Sequence, residues 1–237
     1  MRSVGVIRLL RRYPVKSMRG ESLSAAQLTL QGIPADRRYA FVQKASRSAF
    51  PWLTARELPD MLRYCPSVDE SDSQAVRVSV TDPEGRQFAV DSPELLRALE
   101  SRSGRELFLL HDGRGSYDTA PISMITGQTV ARIGRETGVT DDPARFRPNL
   151  VVDLDGGDAF GEMDWVGKIV RIGGTTRVAI TKWDQRCMII NLDPASAEAN
   201  PAVLRYVVQK HNQYAGVYGV VITPGETQVG DTISIEE

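Results

Sequence analysis

The stretch Ile169-Val-Arg-Ile-Gly-Gly-Thr-Thr-Arg-Val-Ala-Ile-Thr-Lys182 has the pattern of a β-hairpin. Two β-branched runs, Ile169–Ile172 and Thr176–Lys182, flank the pair Gly173-Gly174. Glycine adopts positive φ without steric cost, and a glycine pair between two such runs is typical of a tight turn. The stretch therefore predicts two antiparallel strands in the C-terminal half of the chain.

Short segments on both sides of this hairpin have the same strand-like character. We predict further strands at Val4–Leu10, Leu23–Leu30, Arg38–Gln43, Val76–Thr81, Gln87–Val90, Asn149–Leu154, Gly219–Thr223 and residues 229–235. The polar stretches Glu70–Gln74 and Arg114–Asp118 are predicted loops, and the second separates an N-terminal β region from a C-terminal barrel.

About three helices are expected between the strands. The first has Ser92 as N-cap and ends near Gly104, and the second covers Ser123–Gly138. The third covers Ala202–His211, with Asn200 as its cap and Pro201 at its first position. Because strands and helices do not alternate regularly, we expect a β-barrel-rich α+β fold rather than a doubly wound sheet.

The composition excludes several functional classes. The 237 residues have a formal net charge of −1, so a nucleic-acid partner is not expected, although a local basic pocket is compatible with this balance. The chain has two cysteines and two histidines, too few for an iron–sulfur cluster or a structural zinc site. No run reaches the ~20 apolar residues of a membrane helix, and no signal peptide is evident, so we expect a cytoplasmic protein.

The pair Arg186-Cys187 is the first candidate for chemistry. A cation beside a thiol stabilises the thiolate, which is the form that binds metals and attacks electrophiles. The alternative is a buried structural cysteine, because free cysteine often serves as a small apolar residue. These residues alone leave both interpretations open.

Several cationic segments are candidates for anion binding. In Arg145-Phe-Arg-Pro-Asn149, arginine forks suit a phosphate and the asparagine adds directed hydrogen bonds. Pro14-Val-Lys-Ser17, Asp36-Arg-Arg38 and Asp118-Thr-Ala-Pro121 add cations and hydroxyls near predicted loops. Solvated surface charges and ordinary capping residues explain each segment equally well when it is considered alone.

Taken in order, the segments resemble the MOSC family over nearly the whole chain. The matching segments are Tyr13-Pro-Val-Lys-Ser17, Asp36-Arg37, Thr54-Ala-Arg56, Asp118-Thr-Ala-Pro121, Arg145-Phe-Arg-Pro-Asn149, Arg186-Cys187 and Val229-Gly-Asp231. The similarity includes the mitochondrial amidoxime reducing components and their bacterial counterparts. It implies an N-terminal MOSC-associated β-barrel region over residues 1–115 and a MOSC domain over residues 116–237.

The resemblance also implies a molybdenum cofactor, a pterin with a dithiolene and a phosphate. Cys187 matches the thiolate ligand of the metal. The other positions that match cofactor-binding residues of the family are Lys16, Ser17 and Arg37 at the phosphate, and Thr119, Arg147, Asn149 and Arg186 on the barrel side. Whether Arg37 or Arg38 faces the pocket is open, since neighbours in a strand point to opposite sides.

The implied activity is the reduction of N-hydroxylated small molecules, with two electrons from an external electron-transfer protein. In the reductases an acidic pair precedes a tryptophan; here Glu162 fits, as the catalytic acid, but Met163 interrupts the pair before Trp165. Two alternatives remain open: a sulfur carrier or transferase with a Cys187 persulfide, and a non-catalytic cofactor-binding module. In molybdenum-cofactor sulfurases the MOSC domain accompanies a pyridoxal phosphate binding domain, for which these 237 residues leave no room.

Overall fold

The computed structural model describes residues 2–70 and 76–236. Residues 71–74 of the predicted polar loop at Glu70–Gln74 lie outside the described residues. The strands are β1 (Arg2–Arg12), β2 (Glu21–Leu23), β3 (Ala25–Leu28), β4 (Tyr39–Gln43), β5 (Cys65–Asp69), β6 (Arg77–Thr81), β7 (Gln87–Ala89), β8 (Leu107–His111), β9 (Ile122–Thr126), β10 (Leu150–Leu154), β11 (Ile169–Ile172), β12 (Thr176–Gln185), β13 (Tyr214–Thr223), β14 (Gly225–Gln228) and β15 (Thr232–Glu236). The α-helices are α1 (Pro93–Ser103), α2 (Gly127–Thr137) and α3 (Ala202–His211).

A closed barrel dominates the described part of the chain. Its sheet runs β10-β9-β13-β12-β11-β15-β1, and pairing of β1 with β10 closes the circle of seven strands. The pairs are antiparallel except β9 with β10. The predicted hairpin is confirmed as β11 and β12, with Arg171 opposite Arg177. Strand β1 belongs to this barrel although it lies at the start of the sequence, so the C-terminal half does not close the barrel alone.

Inward-facing aliphatic side chains fill the barrel. The core includes Ile7 and Leu10 from β1, Val152 from β10, and Val178 from β12, all at most 1% exposed. In the first half of β12 every second residue is buried, the period expected when one face of a strand packs on a core. This alternation determines which side chains in the first half of β12 point inward.

Smaller sheets form the rest of the N-terminal half. β4 pairs with β8, and β5, β6 and β7 form a three-stranded sheet. Their inner faces and α1 enclose a second apolar core that includes Phe41, Leu53, Val80, Leu95 and Leu99. The expected α+β fold, rich in β-barrel, is therefore confirmed. Among the described residues no helix is long and apolar enough to cross a membrane.

Helix α1 confirms its predicted signals. The Ser92 hydroxyl accepts a hydrogen bond from Leu95 N at 3.2 Å, and Gly104 adopts a left-handed conformation with φ 65°. Helix α3 covers Ala202–His211 as predicted, but Pro201 rather than Asn200 occupies the capping position, while Asn200 Oδ1 accepts from Ala202 N at 3.0 Å. Local capping chemistry thus places both helices correctly to within about a residue.

The predicted helix over Ser123–Gly138 is wrong in its first part. Ile122–Thr126 is strand β9, and the helix starts only at Gly127. All five residues of β9 are buried, because this strand lies between β10 and β13 in the barrel. A short apolar run that is buried on both faces has no period with which to separate strand from helix.

Two further strand predictions need correction. The single strand expected at Leu23–Leu30 is interrupted at Ser24, so that β2 pairs with β1 and β3 pairs with β14. The strand expected from residue 229 begins only at Thr232, since Gly230 turns the chain with φ 92°. In both cases the strand boundary lies where the chain changes its pairing partner.

Candidate functional site

A cavity of about 370 Å³ opens where β12 ends against five loops of the chain. The loops follow β1, precede β4, follow β4, precede β9 and precede β10. The lining residues are Lys16, Ser17, Arg37, Phe50, Thr54, Arg56, Asp118, Thr119, Ala120, Phe146, Arg147, Lys182, Trp183, Asp184, Gln185, Arg186, Cys187, Ile189, Tyr214 and Tyr218. The volume lies in the range of about 300–1,000 Å³ that is usual for small-molecule and cofactor sites.

The structure brings most of the sequence-predicted site residues together in this cavity. Those that line it are Lys16, Ser17, Arg37, Thr119, Arg147, Arg186 and Cys187. Asn149 lies behind the lining, and Glu162 lies outside the cavity, against the N-terminus of α2. Segments far apart in sequence thus converge as the resemblance implied, while the roles of the individual residues stay predictions.

The cavity is strongly basic although the whole chain is nearly neutral. Six of the described lining residues are cationic, namely Lys16, Arg37, Arg56, Arg147, Lys182 and Arg186, and two, Asp118 and Asp184, are anionic. Concave walls of low dielectric concentrate the field of such charges. The arrangement is therefore suited to an anionic ligand, and especially to a phosphate.

Cys187 lies at the exposed end of the barrel wall. Strand β12 ends at Gln185, and the thiol follows two residues later, at the start of a 3₁₀ turn formed by Met188–Asn191. The cysteine is free and exposed, which does not fit the alternative of a buried structural cysteine. No cluster of three or more His, Cys, Asp or Glu side chains with metal-site geometry occurs in the described residues, so a metal at Cys187 needs ligands from elsewhere.

Arg186 anchors the segment that carries the thiol. Its side chain is 6% exposed, and it donates from Nε to Ala215 O at 2.6 Å and from Nη1 to Phe146 O at 2.8 Å. Its Nη2 lies 2.8 Å from Asp184 Oδ2. The guanidinium thus ties the end of β12, just before Cys187, to two neighbouring segments, and Asp184 balances its charge.

Lys16 extends into the cavity from the loop after β1. Its Nζ donates to Ser116 O at 2.9 Å and to Asp118 Oδ1 at 2.5 Å, and it lies 5.2 Å from the centre of the Phe50 ring. Burial lowers the pKa of this ammonium, and Asp118 opposes the shift. Lys16 is therefore a cation held in place on the cavity wall.

A buried network orients Arg37. Its Nη1 donates to Asp36 Oδ2 at 2.5 Å and to Asn149 Oδ1 at 3.2 Å. Burial disfavours the Arg37 cation, but Asp36 outweighs this effect and raises its pKa. Arg38 points away from the cavity, to the carbonyls of Gly113 and Gln31, so Arg37 is the one of the two that reaches it. Arg37 does so from a turn that precedes β4, not from a strand as expected.

The two arginines of Arg145-Phe-Arg147 have different positions. Arg147 lines the cavity, donates to Met18 O at 2.5 Å and lies 4.4 Å from the centre of the Tyr13 ring, which Arg37 also contacts at 4.9 Å. Burial lowers the pKa of Arg147 to about 10, with Tyr13 opposing the shift, so it stays charged near neutrality. Arg145 instead donates to Leu192 O at 2.9 Å and pairs with Asp193, outside the cavity lining.

Asn149 supports the cavity from behind. Its Oδ1 accepts from Ser123 N at 3.1 Å and from Arg37, and its Nδ2 donates to Arg11 O at 3.2 Å and Asp36 Oδ2 at 3.1 Å. Its side chain is 1% exposed and does not line the cavity. The structure therefore places Asn149 as a support for Arg37, and a direct contact with a ligand would need a change in this packing.

Glu162 is not brought to the cavity. It is fully buried, and its Oε2 accepts from Thr126 Oγ1 at 2.8 Å and Thr129 Oγ1 at 2.9 Å, at the N-terminus of α2. Burial raises the pKa of this carboxyl group, and the two hydroxyls oppose the shift. The location does not support the catalytic role expected for Glu162, because its hydrogen-bonding partners belong to the helix start.

The sequence interpretation missed other residues of the cavity, above all Asp184 and Tyr218. Asp184 lies beyond the point where the pairing of β12 with β13 becomes irregular, after Ile180, so the strand period alone could not have placed it inside. Burial raises the pKa of Asp184 to about 6, against the attraction of Arg186 and a hydrogen bond from Tyr218. Trp183 and Phe50, 46% and 38% exposed, add apolar surface to the lining, but no sequence signal marked them.

Comparison with known families agrees with this geometry. The model of the MOSC domain matches residues 111–234, and that of the MOSC N-terminal beta barrel domain matches residues 4–112. The chain therefore belongs to the MOSC family, which confirms the resemblance. MOSC domains are generally associated with binding of the molybdenum cofactor, and the family includes enzymes that depend on it.

One solved structure supports the fold, and two others show a weaker similarity. The YuaD protein from Bacillus subtilis superposes with a TM-score of 0.55 at 12% identity, over 98% of this chain and 95% of that chain. YiiM from Geobacillus stearothermophilus gives a TM-score of 0.40 at 17% identity, over 50% of this chain and 55% of that chain. YiiM from Escherichia coli gives 0.38 at 18% identity, over 54% and 58%. A search of curated proteins returned no match.

The residues present fit a molybdenum cofactor. The cavity offers cations for a phosphate, and the exposed, free thiol of Cys187 lies on its lining. A soft thiolate suits a metal that also carries sulfur ligands. A buried dianionic phosphate needs several charge-assisted hydrogen bonds, and Lys16, Arg37 and Arg147 are able to donate them.

Proposed function

We propose that this protein is a molybdenum-cofactor-dependent oxidoreductase that reduces N-hydroxylated small molecules with electrons from an external protein donor. The observation that carries the proposal is the basic cavity with the free Cys187 thiol on its lining. When bound, the cofactor supplies two-electron chemistry through its molybdenum, which no side chain of the cavity supplies.

The residues of the chain have separable tasks in this proposal. Lys16, Arg37 and Arg147 would hold the phosphate, and Cys187 would be the protein ligand of the metal. Ser17, Thr119 and Arg186 would complete the binding surface, with Arg186 also fixing the segment that carries the thiol. Preorganised charges of this kind cost little reorganisation when a ligand binds.

Metal analysis of the freshly purified protein is the first test. The protein is produced in cells that make the cofactor, and molybdenum and oxidised pterin are measured for the wild type, Cys187→Ser and Cys65→Ser. We expect molybdenum near one equivalent in the wild type and in Cys65→Ser, and a clear loss in Cys187→Ser. Cys65 is the matched control because it is also a free cysteine but lies on β5, outside the cavity lining.

The second test is turnover. The molybdenum-loaded wild type is given reduced methyl viologen and a panel of amidoximes and N-hydroxylated bases, and the amidines and amines formed are measured. A loaded protein that leaves the whole panel unchanged contradicts the proposal. A persulfide on Cys187 in protein that holds no molybdenum would favour the sulfur carrier, and a Cys187→Ala variant that still binds the cofactor would favour the non-catalytic module.

A further inference from the structure

The cavity contains a buried carboxyl group that has no role among the binding residues named above. Asp184 is 3% exposed and lines the cavity near the end of β12, three residues before Cys187. Its Oδ2 is 2.8 Å from Arg186 Nη2, and Tyr218 on β13 lines the same cavity. The reduction of an N–OH group consumes protons, so a carboxyl group on the cavity lining is placed where protons are needed.

The other acidic groups are less suited to this task. Asp118 is 59% exposed and pairs with Lys16; desolvation works against its ionisation, but Lys16 outweighs it and keeps the pKa of Asp118 below its ordinary value. Glu162 is buried at the start of α2 and does not line the cavity. Burial raises the pKa of Tyr218 above its ordinary value, so its hydroxyl can pass a proton on but does not lose one near neutrality.

We propose that Asp184 is the proton donor of this cavity and protonates the oxygen that leaves a bound N-hydroxylated compound. The assignment rests on the proposed function. For an amidoxime, the N–O bond breaks and an N–H bond forms, while the external donor is oxidised by two electrons. The leaving oxygen takes one proton from Asp184 and departs as water. The second proton and the reprotonation of Asp184 come from water at the cavity mouth.

The surroundings of Asp184 raise its pKa to about 6, so that it changes protonation state not far from neutral pH. The charged and titratable groups that face it are Arg186 after β12, Tyr218 on β13, Asp118 before β9 and Arg37 before β4. Burial and Asp118 favour the neutral acid, whereas Arg186, Arg37 and Tyr218 favour the carboxylate. A group balanced near the working pH can both give up and regain a proton, which is what a general acid requires.

The test compares Asp184→Asn, Asp184→Glu and Glu162→Gln in molybdenum-loaded protein, with benzamidoxime and reduced methyl viologen. In the wild type we expect kcat to rise as the pH falls through about 6, since the protonated acid is the active form. Asp184→Asn should lower kcat by about a hundredfold and remove this pH dependence, because a positioned acid typically contributes 10²–10⁴-fold. Asp184→Glu should recover part of the rate. Glu162→Gln should keep the wild-type profile.

A second readout does not depend on turnover. Infrared spectra of the unloaded Glu162→Gln protein, which lacks the other buried carboxyl group with a raised pKa, should show a protonated carboxyl band that titrates near pH 6 and is absent in the double variant Asp184→Asn/Glu162→Gln. Molybdenum content should be equal in all variants. An Asp184→Asn protein that keeps the wild-type rate and pH profile, or a titrating band that survives in the double variant, overturns the assignment of Asp184 alone. A loaded wild type that reduces no N-hydroxylated compound overturns the proposed function, and the assignment with it.

Discussion

Replacing Asn149 by alanine is the sharpest test of how the cavity is supported. The amide makes four hydrogen bonds in a buried environment, to Ser123 N, Arg37, Arg11 O and Asp36. A net hydrogen bond contributes about 1 kcal/mol, and one to a charged group about 1.5–3 kcal/mol. Allowing for partial rearrangement of the partners, we expect Asn149→Ala to lower the free energy of unfolding by about 3–5 kcal/mol.

The assay for Asn149→Ala is urea denaturation of the protein without cofactor, followed by tryptophan fluorescence and by circular dichroism. Thr119→Ala is the control, because Thr119 is an exposed residue of the same cavity and its loss should change the free energy by less than about 0.5 kcal/mol. A loss below about 1 kcal/mol in Asn149→Ala would refute the reasoning, since four buried groups would then have found other partners.

Three further predictions concern other parts of the molecule. Because the pKa of Glu162 is raised in the folded protein, its contribution to stability is present at low pH and is lost as the pH rises through that pKa; Glu162→Gln should remove this part of the pH dependence in urea denaturation. Iodoacetamide should modify Cys187 faster than the half-buried Cys65, and loading with the cofactor should protect Cys187 only, as measured by peptide mass. Gly216 has φ 82°, and an added Cβ would lie 2.6 Å from Met124 O, so Gly216→Ala should lower stability by about 2 kcal/mol or more.

Each of these predictions has a clear contrary result. A wild-type protein and a Glu162→Gln variant with parallel pH profiles of stability would show that this carboxyl group does not change its pKa on folding. Equal modification of both cysteines, loaded or unloaded, would show that no cofactor covers Cys187. An unchanged melting temperature in Gly216→Ala would show that β13 can shift away from β9 at little cost.

The sequence predicted the fold best where local chemistry acts alone. The hairpin around Gly173-Gly174 and the serine cap of α1 need only neighbouring residues, and both are confirmed. Strand β9 was mistaken for helix because its state depends on the strands on either side of it. The contribution of β1 to the barrel was not predicted for the same reason, since its partners β10 and β15 lie far away in the sequence.

The site was predictable in outline and not in detail. Family resemblance marked Arg147 and Asn149 together, but only the packed structure shows that the arginine lines the cavity and that the asparagine lies behind it. Asp184 was missed because the pairing of β12 is irregular beyond Ile180, so the burial of this carboxyl group does not follow from the strand period. Glu162 was favoured by similarity, and the structure places it at the start of a helix.

The backbone conformation of the cavity residues explains why local sequence patterns alone do not predict the cavity. Ser17, Arg37 and Arg147 line the cavity with φ of 65°, 51° and 53°, the left-handed region that glycine or asparagine adopts at least cost. Each such residue costs about 1 kcal/mol or more, and contacts elsewhere must offset it. Arg37 donates to Arg147 O at 2.9 Å, and Arg147 donates to Met18 O at 2.5 Å, next to Ser17. The three turns are thus linked through guanidinium groups that line the cavity, so the side chains that hold these turns together are also the ones that we propose for anion binding.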